Sequence, residues 1–475
     1  MIVSFIVFLL LFTIIGVSSA RLSRGTGRDY YLAGSSVKPW LTGLSAVATN
    51  NSGYMFIGVI GYAYVTGFPA LWLMVGWITG DFLGSLFIHA RLRAATARSK
   101  DFTYAGVLSN WYGARNSRLQ RVIGLISILF LLAYASAQLV AGSKALHVLF
   151  GWPQYAGAIL GAVLVVLYCM AGGIRASIWT DAAQSMVMIV AMGLLLVVAV
   201  DALGGATAAY NSMQQIPEFT NWFPTDLLLP GISGALLFAL GWMFAGLSVI
   251  GQPHVMVRFM ALDNVKHMRR AKIWYYLWFT AFHAMAIGVG LLARVYLADT
   301  STFDAELALP TMALQLLPAP LVGLVLAGIF AATMSTADSL VLSCSASATQ
   351  DIIPGKKVNP LVIKLSTVGM AAVALALALA NNQSVFSLVI LAWSALASAF
   401  APLLIALCLG REPNQNLSLI AIAAGLVVVV VWRLLGWQQF MYEGFPGIII
   451  GLVILFVGSQ QPSGQNVAVD TASRA

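Results

Sequence analysis

The sequence predicts an all-α membrane protein with about thirteen transmembrane helices. Three observations lead there: an apolar composition, apolar runs of membrane length, and a one-sided distribution of positive charge. Of 475 residues, 60% are hydrophobic and only 9% charged, with a mean hydropathy of +0.89. A water-soluble globular chain is nearer half apolar and a quarter charged, so most of this surface must face lipid.

Reading in order, a span needs ~20 apolar residues. Such runs occur near 2–20, 38–65, 67–91, 119–149, 153–172, 178–204, 231–255, 272–297, 310–350, 359–380, 383–408, 416–435 and 440–460. The first ends Val17-Ser18-Ser19-Ala20, like a signal-peptide cleavage site. However, Met1–Phe5 carries no Lys or Arg, which a signal peptide needs, so this run reads as a first span. The 310–350 run is long enough for a span plus an extension. The tail 461–475 is short and polar and reads as disordered. Residues 1–460 read as a single transmembrane domain.

Alternate gaps between the runs hold 22 of the 25 Lys and Arg; only Lys144, Arg294 and Arg433 fall on the other side. The loop 205–230 has no cation, and 298–309 holds Asp299, Asp304 and Glu306. By the positive-inside rule the N-terminus lies outside and the C-terminus in the cytoplasm, in a multi-pass inner-membrane protein. The +9 charge is thus a topology signal and implies no nucleic-acid partner. Cys169, Cys344 and Cys408 form no metal or disulfide spacing. No GxxxxGK[ST] loop points to ATP. The scattered histidines neighbour no candidate nucleophile, so an enzyme is not indicated. His254 reads as a cytoplasmic helix end.

Candidate chemistry lies where polar residues enter the apolar runs. Asp81, Asp181 and Asp338 sit in or at the edge of such runs. A mid-bilayer charge costs at least ~2.5–3.5 kcal/mol, so it usually faces a cavity or a partner. Around Asp338, Ser335, Ser339 and Ser343 are spaced i, i+4, i+8 on one helix face, with Ala332 and Thr336 beside them. Hydroxyls and a carboxylate on one stripe supply oxygen ligands for a bare cation; equally, hydroxyls can bond back to their own helix. A partner is offered by Ala48-Thr49-Asn50-Asn51-Ser52-Gly53-Tyr54, poor helix formers in mid-span. Unwinding at membrane depth is tolerated where the backbone lines a cavity, and its carbonyls then coordinate cations. A second candidate break spans Gly241 to Gly251, where close packing by small residues is the alternative reading.

With these residues in view, the chain resembles the sodium:solute symporter family, nearest its sodium/proline branch. The resemblance rests on four stretches. They are Tyr31-Leu32-Ala33-Gly34 leading into Ser45-Ala46 and Ser52-Gly53; Gly172-Gly173-Ile174 with Trp179-Thr180-Asp181 and Gln184; Gly251-Gln252-Pro253-His254 with Arg258-Phe259-Met260-Ala261; and Ala331-Ala332 through Met334–Ser339. Their order fits across 1–460. The resemblance implies a five-plus-five inverted-repeat core, with repeat one at about 38–204 and repeat two at about 231–408. One helix is added before the core and two after it.

The resemblance also implies a principal sodium site from the carbonyls of Ala48, Asn51 and Ala332 and the hydroxyls of Ser335 and Thr336. A further sodium site, found in some members, would fall on Asp181, Ser335, Asp338 and Ser339; an acid at 338 could instead take a proton. The solute positions are Asn50, Ser52, Gly53, Tyr54, Tyr134, Gln138, Phe244 and Ala245. Departures from the sodium/proline branch are Asn50 for an Asp, and Ala245 and Tyr54 for tryptophans, which reshape the pocket. The expectation is a monomeric, sodium-coupled importer of a small organic solute such as proline, working by alternating access. The alternatives are a carboxylate, sugar or sugar-acid symporter, a proton-coupled carrier, or a channel. No Lys or Arg lies at either break, so backbone amides and hydroxyls would hold a solute carboxylate.

Overall fold

The computed structural model describes residues 1–22, 24–297, 303–353, 358–380 and 384–459. The tail, Asp299, Lys356 and Lys357 lie outside the described residues. Those described form no strand; a lone bridge joins Val37 and Leu262. Lipid leaves a spanning backbone no solvent partner, so each run closes its hydrogen bonds within a helix. Among the described residues, ten helices are long and apolar enough to cross, or eleven if Ala70–Ser85 and Ile88–Ser99, bent by 43°, count as one span. The shorter Met55–Thr66, continuing Pro39–Asn50, and Gly444–Gly458 account for the two remaining runs.

The architecture is the five-plus-five core, with one helix (Ile2–Ser18) before it and two (Gln415–Leu434, Gly444–Gly458) after. Each set of five opens on a broken helix. The first broken helix runs Pro39–Asn50, ends at Asn51 (φ −88°, ψ 62°), and resumes through a π-turn, Met55–Val59. The second runs Gly231–Leu247, tightens to a 3₁₀ turn at Ser248–Gly251, extends at Gln252 (φ −98°, ψ 102°), and restarts as Pro253–Met260. Proline at the start of Pro39–Asn50 and of Pro253–Met260 suits a position whose N–H would be unpaired anyway. The bridge ties the two together: Val37 N donates to Ala261 O (3.1 Å) and Asp263 N to Val37 O (3.0 Å).

Two expectations need correction. The 310–350 run is not one helix with an extension. It is a short helix, Ala308–Leu316, followed by Ala319–Ala346 and a π-turn to Asp351, because Pro318 and Pro320 stop one helix and start the next. The second helix is also intact through Gly241 and Gly246, so it breaks only at that stretch's far end. There the packing reading holds: a Cβ on Gly246 would meet Trp77 O at 2.0 Å, and one on Gly80 would meet Met243 O at 1.7 Å. These glycines let Gly231–Leu247 lie directly on Ala70–Ser85.

Among the described residues the main apolar core runs from Phe5 to Leu455, with a small second cluster of Tyr31, Ala346 and Ile363. The N-terminal helix belongs to it, with Phe5 edge-on to Phe330 at 5.0 Å. Pro39–Asn50 is enclosed by Ile174–Ala202, Pro253–Met260, Met268–Tyr296 and Ala319–Ala346.

Candidate ion and solute site

The first break lies against the hydroxyl-bearing helix. Ser335 Oγ is 3.1 Å from both Ala48 O and Ala332 O, and Thr336 Oγ1 donates to Thr49 O at 3.0 Å. All are buried. Ala48, Ala332, Ser335 and Thr336 therefore come together. Asn51 ends the helix beside them, with its amide Nδ2 unpartnered. Ser335 satisfies both sequence readings, because it bonds back to its own helix and also reaches across. A hydroxyl that turns its proton away offers a lone pair, so the oxygens now joined by hydrogen bonds are of a kind able to ligate a cation. Thr49 O is an oxygen that sequence reasoning did not include. Gly53 permits this closeness: a Cβ there would meet Thr333 Cγ2 at 2.5 Å.

One turn along the Ser335 helix, Asp338 and Ser339 lie near Asp181 of Ile174–Ala202, with an unanticipated cation among them. Arg258, wholly buried, lies 3.5 Å from Asp181 Oδ2 and donates to Ser177 Oγ (2.7 Å), to Ser339 Oγ and to His254 O (2.9 Å). Ser45 donates to Asp181 (2.6 Å) and Ser177 to Asp338 (2.9 Å). Arg258 is thus not a loop charge, as the topology count had it. Two carboxylates facing one guanidinium leave room for one more positive charge, and Asp181 Oδ1 and Asp338 Oδ2 make no hydrogen bond. A cavity of about 30 Å³ lies beside Arg258, lined by Tyr31, Thr103, Tyr104 and Ser343 among others. Its basic-loop end is closed by a hydroxyl cluster in which Tyr31 pairs with Ser345 (2.7 Å) and Thr349 (3.0 Å). Burial pushes the Tyr31 hydroxyl up to about 12, so it keeps its proton.

The solute positions gather at the two breaks. Tyr134 donates to Ser52 Oγ (3.0 Å), and Gly53 N donates to Gln138 Oε1 (2.8 Å). The Tyr134 ring meets His254 at 5.4 Å and Trp393 at 6.2 Å. Trp77 packs on Trp393 (5.5 Å) and Tyr54 on Trp77 (5.8 Å). His254 is therefore not at a cytoplasmic helix end; it is buried where the second helix restarts. Phe244 turns elsewhere: its ring sits 4.4 Å from Phe445, on the first turn of Gly444–Gly458. Asn50 turns its amide to Tyr275 (2.5 Å). Trp393 Nε1 donates to Ala245 O (3.0 Å), so an indole reaches residue 245 from another helix. Sequence reasoning missed Trp393, Gln252 and His254. The Gln-Pro-His run was in view, but nothing local says that it faces Tyr134. Gln138 Nε2, Gln252 Oε1, Tyr54 OH and both His254 ring nitrogens are buried without partners. Native interiors rarely leave such groups unpaired, and here they converge.

On the acid-loop side, Glu306 closes the structure. It accepts from Lys144 Nζ (2.6 Å), Ser384 Oγ (2.7 Å) and the amides of Val385 (3.3 Å) and Phe386 (3.0 Å).

Comparison with known proteins agrees with this geometry. The family model for the sodium:solute symporter family matches residues 30–424. The sodium/proline symporter of Staphylococcus aureus (strain JH9) is 30% identical over 98% of this chain and 93% of its own. Among solved structures, a substrate-bound, outward-open Na⁺-coupled sialic acid symporter superposes with a TM-score of 0.81 at 18% identity, covering 97% of this chain and 98% of that one. A nucleobase-cation-symport-1 family transporter, closed with bromovinylhydantoin bound, gives 0.58 at 15%, covering 90% and 93%.

Proposed function

The chain belongs to the sodium:solute symporter family, a family of sodium-coupled transporters and not of enzymes, and from that premise we propose that it imports a small zwitterionic solute, an amino acid of about proline's size, with sodium. The observation that carries this reading is the meeting of Ala48, Ala332, Ser335 and Thr336 oxygens beside a helix break. Sodium entering from outside bridges the first broken helix to the Ser335 helix, with the Asn51 carbonyl completing the set. The solute carboxylate takes the donors of the first break: the Ser52 and Tyr134 hydroxyls, the Gly53 amide and the free Gln138 Nε2. Its amine faces Gln252 Oε1, His254 and the Trp393 ring, whose face attracts cations. The bundle then rocks, the Glu306 contacts closing outside and the Tyr31 cluster opening inside. An inward potential of 100 mV supplies ~2.3 kcal/mol per sodium, or ~50-fold accumulation.

The Asp181–Asp338–Arg258 cluster, with one charge unbalanced, is a second place for a sodium ion or a proton. The unit that moves is the single domain of 1–460, with repeats at about 38–204 and 231–408. It acts as a monomer in the inner membrane, N-terminus outside and C-terminus in the cytoplasm, an orientation supported by the basic loops. Carboxylates and sugar acids are the second reading, since the donor side of the pocket would hold them equally. The test is a thermal-shift screen of purified protein against amino acids, carboxylates and sugars, with and without sodium. Ligands that bind the native state raise its apparent stability. An amino acid should do so only with sodium; equal shifts without sodium contradict the proposal.

A further inference from the structure

Asp81 lies outside the ion and solute sites, yet it is joined to them. It is fully buried on Ala70–Ser85 and accepts the Tyr275 hydroxyl at 2.6 Å through Oδ2. Tyr275 in turn accepts Asn50 Nδ2 at 2.5 Å. Asn50 is the last residue before the first break. Two atoms along this chain are left over: Asp81 Oδ1 and Asn50 Oδ1, both buried, neither hydrogen-bonded.

The chain has a direction. A phenol has one proton. When Asp81 is ionised it can only accept, so Tyr275 gives that proton to Asp81, and its oxygen must accept from Asn50. The Asn50 amide nitrogen is then held at Tyr275, and its oxygen is left without a partner at the end of the helix. If Asp81 takes a proton and donates it to the Tyr275 oxygen, the order reverses. Tyr275 then donates to Asn50 Oδ1, the amide rotates, and NH₂ replaces oxygen at the break. One proton gained at Asp81 thus exchanges a cation-attracting group for a cation-repelling one on the residue that precedes Asn51 at the break.

We propose that Asp81 is a proton-binding site that sets, through Tyr275, whether Asn50 presents its oxygen or its NH₂ to the sodium-binding break. This rests on the sodium-symport reading above. Asp81 and Tyr275 act as positioning residues. The titratable and charged groups that face Asp81 are Tyr275, Tyr276 and Lys272 on Met268–Tyr296, and Lys272 in turn faces His89 on Ile88–Ser99. Of the other elements packed on Ala70–Ser85, Gly231–Leu247 and Ser248–Gly251 contain no titratable group, and Ile60–Thr66 carries Tyr62 and Tyr64. Lys272 Nζ is directed to Ser85 O (3.1 Å), and the Tyr276 hydroxyl stands near the carboxyl. An ionisable group within a span is functional by default.

The test measures sodium half-saturation by tryptophan fluorescence of the purified protein from pH 5.5 to 8.5. In the wild type, acid should weaken sodium binding, by up to about tenfold per pH unit where one proton competes with one ion. Tyr275→Phe cuts the chain, and in Asp81→Asn the amide donates or accepts at any pH; both should flatten the dependence whatever their absolute affinity. In a second measurement, sodium added to weakly buffered wild-type protein should release protons, since coupling between two ligands is reciprocal. A flat wild-type profile with no proton release overturns the proposal, as does a wild-type slope retained in either variant. If sodium produces no response at any pH, the symport reading itself fails. If sodium binds but pH has no effect, only the Asp81 inference fails.

Discussion

At the scale of single residues, charge burial decides which side chains are indispensable. Arg258 reaches Asp181, Ser177 and Ser339 in a buried site. Removing one partner of a buried pair costs about 3–5 kcal/mol, because the other is left charged and unpaired. Arg258→Leu is therefore expected to lower the melting temperature sharply. Asp338→Asn, which removes the surplus charge and keeps a group for Ser177, should leave it near wild type. Melting curves of the two variants check this, and equal losses would contradict the charge count. The three membrane aspartates stand out in the sequence because charge is scarce there. Arg258 does not, since it follows an apolar helix and precedes a basic loop. What buries it is contact with residues some eighty positions away, which no local pattern contains.

The elements are legible to different degrees for the same kind of reason. The first break is readable because Asn50, Asn51, Ser52 and Gly53 are all poor helix formers, and the helix ends there. At the second break the glycines mislead. Gly241 and Gly246 serve close packing, and the turn is marked instead by Gln252-Pro253. The 310–350 run hides its interruption because Pro318 and Pro320 sit among apolar residues that keep the hydropathy high. The elements also explain how the acid-loop side is held. Glu306 is bound by the first amides of Val385–Cys408, where a helix N-terminus favours negative charge, and by Lys144. Glu306→Ala should destabilise the closed arrangement by roughly 2–3 kcal/mol, the worth of a hydrogen bond to a charged group. A cysteine at Tyr54 should then label faster with a membrane-impermeant reagent. An unchanged labelling rate would show that Glu306 does not hold that side closed.

Across the whole molecule, apolar runs, charge sidedness and two interrupted helices carry the architecture, because lipid leaves the backbone so few alternatives. The sequence alone does not show that the Ser335 stripe faces the first break; that depends on how four helices pack around Pro39–Asn50. The central claim is that sodium binds where Ser335 and Thr336 reach the Ala48 and Thr49 carbonyls. It is tested most directly by sodium-gradient-driven uptake into proteoliposomes, comparing wild type with Ser335→Ala/Thr336→Ala, using the solute found by thermal shift. The account predicts that uptake in the double variant falls to the level seen without sodium, while the protein remains folded by its melting curve. Sodium stimulation of wild-type size in the double variant would contradict it.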